Sequence, residues 1–538
     1  GATSLNYSNP DVQIAGVATG SPEDDPDQRW ADNARVIRET MPGTVSYFCE
    51  VPEPAGDDGR LIAGNLGDFD NFGSALATSG TLMFAGSSRH DAQGPNSGAV
   101  FVFGDPMDDE PDLGWVQDAK LAAPDLGDGD LFGSSVAAFE DILVVGAPYA
   151  SRFVTEIDPS GEEVVVETFP LAGRAEIWVD DGSGYCRVQV IQPEELQAND
   201  VFGSAVAVAG DLVAISAPFR DGSNGAQDRG FVYVYQRTGL DTFELFETFE
   251  GALVDERLGQ SLAMSVLSNG LDQMLIIGVP SGSSERGFVR PVHYLRSGSD
   301  FVSVEGNRIN GSLPGDRFGA ALDMRGDDAV IGAPLSRGTS GSARTYEFDG
   351  LSLVQNDLLI APGGGAEGDR FGASVAVGDV RMAIGAPDVD VPDPSNPDEN
   401  LRDDVGVVFI YEAGMSGWSP LSVFQPAGLQ PGDRMGTSVA VAGTVLFAGA
   451  PDADDAGVLS GVVYAAYEGF TDCNENGVDD SLDIFLQTSD DLDLDGIPDE
   501  CVGANCAADI DGSGLVDGED MGLLFIAWGV CPGDPGCP

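Results

Sequence analysis

Residues 368–387, Gly-Asp-Arg-Phe-Gly-Ala-Ser-Val-Ala-Val-Gly-Asp-Val-Arg-Met-Ala-Ile-Gly-Ala-Pro, recur in variant form along most of the chain, and this repetition limits the fold more than any other feature. Val375 and Val377 lie two apart, Gly378-Asp379 reads as a two-residue hairpin turn, and Val380, Met382 and Ile384 alternate with Arg381, Ala383 and Gly385. Alternation on both sides of a glycine turn predicts two short antiparallel strands. Pro387 has no N–H to give to a ladder and ends the second strand.

Two signposts track the unit. Phe-Gly or its equivalent stands at Phe72-Gly73, Phe132-Gly133, Phe202-Gly203, Leu258-Gly259, Phe318-Gly319, Phe371-Gly372 and Met435-Gly436. Gly-Ala-Pro or its equivalent follows each time, as at Gly146-Ala147-Pro148 and Gly332-Ala333-Pro334, so there are seven copies. Each continues into a third apolar segment that opens on a glycine, such as 98–103, 230–235 and 406–411, and an irregular fourth such as Trp115 to Leu121. Four strands per repeat, at a period somewhat above roughly 40 to 50 residues, predicts an all-β chain built as a propeller.

On these motifs the stretch from about Leu61 to Phe470 resembles the FG-GAP repeats that build the seven-bladed β-propeller of integrin α subunits, and the short bacterial form of that repeat. The resemblance implies a seven-bladed β-propeller over 58–470, behind an N-terminal arm of 1–57. Integrin repeats often carry an Asp-x-Asp-x-Asp-Gly calcium loop between the two signposts. Here that connection is a tight turn such as Gly210-Asp211, which cannot supply the roughly six to eight oxygens Ca²⁺ takes, so calcium is not carried over to the blades.

The last repeat has three strands, ending in 461–467, while Arg60 to Ala63 matches the fourth strand that precedes every other Phe-Gly. The ring is therefore expected to close by exchange, with the N-terminal strand completing the last blade and removing two open edges. Long insertions follow the second strand in the second repeat (149–173, read as an extra hairpin) and the sixth (388–404, rich in Asp and Pro). The integrin resemblance puts both on the ligand-binding face, together with the turns entering each Phe-Gly. An acid stands two residues before each Phe-Gly: Asp70, Asp130, Asp200, Glu256, Asp316, Asp369 and Asp433. Seven carboxylates around an axis suit a cation or basic group; alternatively each accepts backbone N–H bonds inside its own turn. Arg257, Arg317, Arg370 and Arg434 beside them would partly neutralise such a ring.

Past Phe470 the pattern becomes spaced acids. One loop runs Asp472, Asn474, Asn476, the Val478 carbonyl, Asp480 and Asp483; a second Asp491, Asp493, Asp495, the Ile497 carbonyl and Asp499; a third Asp509, Asp511, Ser513, the Leu515 carbonyl, Asp517 and Asp520. Alternating oxygens that turn sharply at a glycine are calcium-loop chemistry, and Ca²⁺ is the cofactor they predict. The first two loops, over 471–502, resemble thrombospondin type 3 repeats. The third, with the helical stretch 518–528, makes 503–538 resemble one dockerin half, where dockerins carry two. Cys473, Cys501, Cys506, Cys531 and Cys537 crowd this module as disulfide candidates of open connectivity; Cys49 and Cys186 are the other two of seven. The expected C-terminal module is small, calcium-binding and disulfide-stapled.

With 89 acidic against 25 basic residues and a formal net charge of −64, the chain repels nucleic acid and anionic membranes, and no apolar run is long enough to span a bilayer. The start at Gly1 suits a mature chain after signal removal, and with the cysteines points to an extracellular or cell-surface location. Only two histidines, His90 and His293, are present, with no zinc spacing, nucleophile elbow or phosphate loop. The expectation is a non-enzymatic secreted calcium-binding protein that self-assembles as a homo-oligomer or polymer, a fibre or surface layer. The alternatives are a monomeric integrin-like adhesin binding a surface protein or glycan, and a polysaccharide hydrolase or lyase recognisable by two carboxylates in a cleft.

Overall fold

The computed structural model describes residues 59–104, 115–157, 163–391, 404–414, 417–426, 428–467, 478–489 and 498. The arm at 1–57 lies outside them, with Cys49, Cys473, Cys501, Cys506, Cys531 and Cys537.

Seven antiparallel sheets follow one another along the described chain, six with four strands and one with five. Blade 3 is representative: Val206–Ala209, Leu212–Ala217, Phe231–Arg237 and Phe243–Glu250 pair in sequence order. Its alternation is real, yet neither face of its two innermost strands meets water. Val206, Val213, Ile215 and Tyr233 pack with Ile142, Val144 and Ile177 of blade 2, whereas Ala207, Ala214 and Val232 pack with Leu262, Leu275 and Ile277 of blade 4. A pleated strand sends successive side chains to opposite faces, and stacking blade on blade buries both. The same stacking buries all four positions of Ser374–Val377 in blade 6.

The two-residue hairpin holds in five blades, where the first turn residue has positive φ: Gly80, Glu140, Gly210, Gly326 and Gly443 lie between 50° and 62°. Blade 6 differs from expectation. Its second strand is Arg381–Ala386, Val377 pairs with Met382, and Gly378 donates to the Arg381 carbonyl, so Val380 belongs to a wider turn and is exposed. In blade 4 the connection widens to six residues between Val266 and Gln273.

Irregular fourth strands have a common cause. The register shifts by one residue against the third strand in five blades, as between Val234 and Tyr235, a bulge that adds twist at the rim. Blade 4 departs further: its third strand, Phe288–Ser297, pairs with both Asp300–Glu305 and Ile309–Asn310. Pro291 sits at the interruption, where it offers no N–H but accepts from Gly306 at 2.8 Å.

The ring closes as predicted. Arg60–Leu61 pairs antiparallel with Val462–Tyr467, Arg60 opposite Tyr464 and Leu61 opposite Val463. A second feature was not legible beforehand: a short helix, Asp480–Phe485, seats against blade 6, with Leu482 in that blade's core, Phe485 edge-on to Phe409 at 5.1 Å, and Ser481 Oγ accepting from the Val423 N–H at 3.0 Å. Asp479 caps this helix through the Ser481 N–H.

Candidate functional site

Each of the seven acids sits in the turn that enters its blade. One carboxylate oxygen accepts the backbone N–H three residues earlier, in all seven turns, at 2.5–2.8 Å; Gly67 to Asp70 and Gln197 to Asp200 are examples. The residue after the acid then adopts left-handed backbone, with φ from 49° to 58° at Asn71, Leu131, Val201, Arg257, Arg317, Arg370 and Arg434. That conformation aims two successive N–H groups at the preceding blade: Arg370 donates to the Thr339 carbonyl at 3.1 Å and Phe371 to Ser340 at 3.0 Å. The same pair recurs at every joint, including the closure, where Asn71 and Phe72 donate to Leu459 and Ser460. The acids thus form the joints between blades, and the described residues contain no group of three or more His, Cys, Asp or Glu side chains placed to hold a metal ion. Arg257, Arg370 and Arg434 pair with other carboxylates, Asp228 and Asp388.

Burial raises the Asp70, Asp130, Asp369 and Asp433 carboxyls, and pushes Asp200 up to about 6. The opposing pull is the backbone hydrogen bond each accepts.

The glycines serve the same joints. At Gly341 φ is +87°, and a Cβ there would stand 2.1 Å from the Phe371 carbonyl oxygen. The glycine of Gly-Ala-Pro meets the next Phe-Gly as closely, Gly332 against the Gly372 oxygen at 2.1 Å. Serine hydroxyls add a further tie, with Ser374 Oγ donating to the Gly436 carbonyl and Ser438 Oγ to Gly73, each at 2.6 Å.

The entry turns share a face with the connections that hold the insertions: Arg89 donates to the Asp70 carbonyl, Tyr149 to that of Asp130, and the Arg434 guanidinium to Asp388. The opposite ends carry the hairpins, latched between blades by Arg237 on Asp141 and Arg325 on Asp379.

On the insertion-bearing face, a cavity of about 460 Å³ opens between the entry turns of blades 6 and 7. Thr339, Glu367 and Arg370 line one side, and Asp388, Asp390, Asp404 and Arg434 the other. Asp390 and Asp404 stand near the two ends of the sixth-blade insertion and are tied by the Asp404 N–H to Asp390 Oδ1 at 2.9 Å. Asp388 is nearly buried, and its two oxygens take Arg370 Nε at 2.7 Å and Arg434 Nε and Nη2 at 3.0 and 2.7 Å. A clamped guanidinium pair flanked by carboxylates offers donors and acceptors together, suited to a polar ligand.

The second-repeat insertion contains the expected hairpin, Arg152–Ile157 with Glu163–Phe169. Below it lies a network that sequence reasoning missed. Glu176, fully buried in the third strand of blade 2, takes Arg174 and Arg187, which also bind Asp125. Burial raises the Glu176 carboxyl; at Asp125 burial is overcome by the bonds from Arg174 and Arg187, which hold it down at about 2. The signal was present as Glu176 standing where repeats 1, 3, 6 and 7 have Phe101, Tyr233, Phe409 and Tyr464.

Of the calcium-loop residues, Val478, Asp480 and Asp483 are described. Asp480 and Asp483 are buried on the helix beside blade 6, and Asp483 Oδ1 accepts from Thr488 Oγ1 at 2.6 Å. Asp472, Asn474, Asn476, Asp491, Asp493, Asp495, Ile497, Asp499, Asp509, Asp511, Ser513, Leu515, Asp517 and Asp520 lie outside the described residues. His90 is buried with its ring 5.5 Å from that of Phe101; His293 Nε2 stands 3.5 Å from Asp272 and its ring packs on Phe348. Cys186 is a free, exposed thiol. No described helix is long and apolar enough to cross a membrane.

Comparison with protein families matches the FG-GAP repeat at residues 56–103, 115–161 and 186–235. No curated protein matches the chain. Among solved structures, the crystal structure of Sqt1 from Chaetomium thermophilum is similar at 13% identity and a TM-score of 0.38, over 78% of this chain and 100% of that one. Three segments of the chain thus match the FG-GAP repeat, and the described residues form the seven blades of a propeller.

Proposed function

We propose that this chain is a non-enzymatic, extracellular or cell-surface calcium-binding protein whose propeller recognises a ligand through its insertion-bearing face. The observation that carries the reading is the cavity of about 460 Å³ on that face, rooted on rigid entry turns and edged by the sixth-blade insertion. Its volume falls in the roughly 300–1,000 Å³ range of ligand sites, and its lining, charged where most such sites are apolar, selects for a polar or ionic ligand. Repeats of this family are typical of extracellular and surface proteins, which supports the location.

Calcium belongs to the C-terminal loops in this reading. Asp472, Asn474, Asn476, the Val478 carbonyl, Asp480 and Asp483 would hold one ion, with the second and third loops supplying two further sets. Buried carboxylates at Asp480 and Asp483 are the donor type a hard dication takes, so the residues fit the ion. The ion would supply a fixed charge that folds its loop.

Screening the purified chain against extracellular proteins and glycans, with calcium and then with chelator, tests the proposal. A true ligand is lost in Arg370→Ala and Asp390→Asn variants; ligands indifferent to both, or turnover of a polysaccharide, would overturn it. Self-assembly is the second reading. It is favoured by the helix Asp480–Phe485, because its seat on blade 6 gives the C-terminal segment a fixed point of departure, from which a contact can be presented in one orientation. Light scattering that falls on chelation would move that reading to first place.

A further inference from the structure

The residue after Gly-Ala-Pro decides how an entry-turn arginine is neutralised. In blade 6 it is Asp388, which takes both Arg370 and Arg434; in blade 7 it is Asp452, whose carboxylate lies 3.7 Å from Arg434. In blades 4 and 5 the same position holds Ser281 and Leu335. Arg257 finds Asp228 instead. Arg317, exposed in the entry turn of blade 5, is thus the one entry-turn arginine with no carboxylate partner among the described residues.

More arginines without a carboxylate partner gather around the segment 311–318. The Gly311 N–H donates to the Gly287 carbonyl at 2.9 Å and the Phe318 N–H to the Arg286 carbonyl at 3.1 Å, so Arg286 and Gly287 lie against both ends of the segment. The Arg286 guanidinium has no acceptor among the described residues, and its Nε is closed off from water, which leaves the two terminal nitrogens as its available donors. Arg344 lies over the Phe318 ring at 4.8 Å and donates to Ser312 Oγ. Arg337 is exposed in the blade 5 connection on the same face. The same segments carry two carboxylates: Asp316 is buried and takes the Leu313 N–H at 2.7 Å, and Glu285 is exposed. Neighbouring acids are already matched, Glu305 with Arg290 and Asp228 with Arg257. The joint of blades 4 and 5 is therefore locally positive on a chain of net charge −64.

We infer that this joint binds an oxyanion, the carboxylate or sulfate of an acidic saccharide. A guanidinium fork matches such a group with parallel N–H···O bonds. Stacking on Phe318 fixes Arg344 in advance, and Arg317 supplies a second, unengaged fork beside it. The net charge keeps long uniform polyanions such as nucleic acid away. A protein partner would call for an apolar centre, whereas Leu313 is the one large exposed apolar side chain of segment 311–318. Saccharide hydroxyls meet Asn310 and Ser312 there, both exposed. The residues differ from those of the cavity at blades 6 and 7, so either site can fail without the other.

The test titrates the full chain into fluorescent sulfated, uronate and neutral oligosaccharides and an aspartate peptide, at physiological salt, where charge acts over about 8 Å. Saturable binding of the sulfated or the uronate oligosaccharide is expected, with the neutral one inert, and the one that binds identifies the oxyanion. Arg317→Gln and Arg344→Gln should each weaken it at least about tenfold. Arg325→Gln, which removes the same charge from the opposite face, and Asp390→Asn, in the other cavity, should leave it unchanged. An unchanged circular dichroism spectrum verifies the fold of each variant. Absence of saturable binding, equal binding of the neutral oligosaccharide, or equal loss in Arg317→Gln and Arg325→Gln overturns the inference. Binding lost in Asp390→Asn as well belongs to the cavity and would also overturn it. So would an aspartate peptide that binds as tightly and is lost in Arg317→Gln, by making the partner a protein.

Discussion

Replacing Gly341 by alanine probes the joint between blades 5 and 6. Two effects add there. Positive φ costs an L-residue about 1.5 kcal/mol wherever it occurs. The new Cβ also falls 2.1 Å from the Phe371 oxygen and 2.5 Å from its nitrogen, so the backbones must separate. Separation strains close-packed blades by about 1–3 kcal/mol and lengthens the Phe371-to-Ser340 hydrogen bond, worth about 1 kcal/mol. The expected loss is about 4 kcal/mol. Gly350 supplies the control, since its φ is +89° with nothing within 4 Å of a built Cβ. Gly350→Ala should therefore lose only the φ term, about 1.5 kcal/mol. Guanidinium unfolding of parent and both variants, followed by tryptophan fluorescence, measures the difference. Equal destabilisation would refute the claim that these glycines exist for close approach between blades.

Glu140 occupies with φ 50° the turn position that is glycine in four other blades, so Glu140→Gly should raise stability by about 0.5–1 kcal/mol in the same unfolding assay. Asp200, raised by burial to about 6, holds its proton in the fold at pH values where the unfolded chain has released it. Its stabilising contribution is thus complete below about pH 4 and lost as pH rises through about 6; relative to the parent, Asp200→Asn should gain up to about 2 kcal/mol between pH 4.5 and 7.5. Glu176→Ala should cost about 1.5–3 kcal/mol, the worth of the charge-assisted bonds it removes, because Arg174 keeps its pair with Asp125; Arg174→Met/Glu176→Leu should recover most of it, read as unfolding midpoints.

Blade number, strand order and ring closure were legible because each rests on local signals: a turn glycine, a proline stop and an alternating run. The use of the seven acids was legible only as a choice, since Asp before a bend suits both a turn and an ion site; the N–H bond at Gln197 or Leu313 decides it. Val380 was misplaced because a Gly-Asp pair resembles the tight turns of blades 3 and 5, and only the bond from Gly378 to Arg381 distinguishes the wider loop. Pro291 was silent until its partner strand appeared beside it. The Glu176 network and the helix on blade 6 depend on residues brought together from distant segments, such as Asp125 with Arg187 and Phe409 with Phe485, which no local pattern encodes.

Closure through Arg60–Leu61 also decides where the propeller bears load. The strand that enters the ring and the strand that completes it lie antiparallel in one sheet, tied by two residue pairs, the Ala465 N–H to Gly59 and the Arg60–Asp455 ion pair. Tension between the two ends of the propeller therefore bypasses six blades and falls on this short zip in the seventh. Blade 7 is the mechanical fuse of the ring: once its strand is drawn out, the Asn71 and Phe72 joint is the next to open, and the circle becomes a chain of blades.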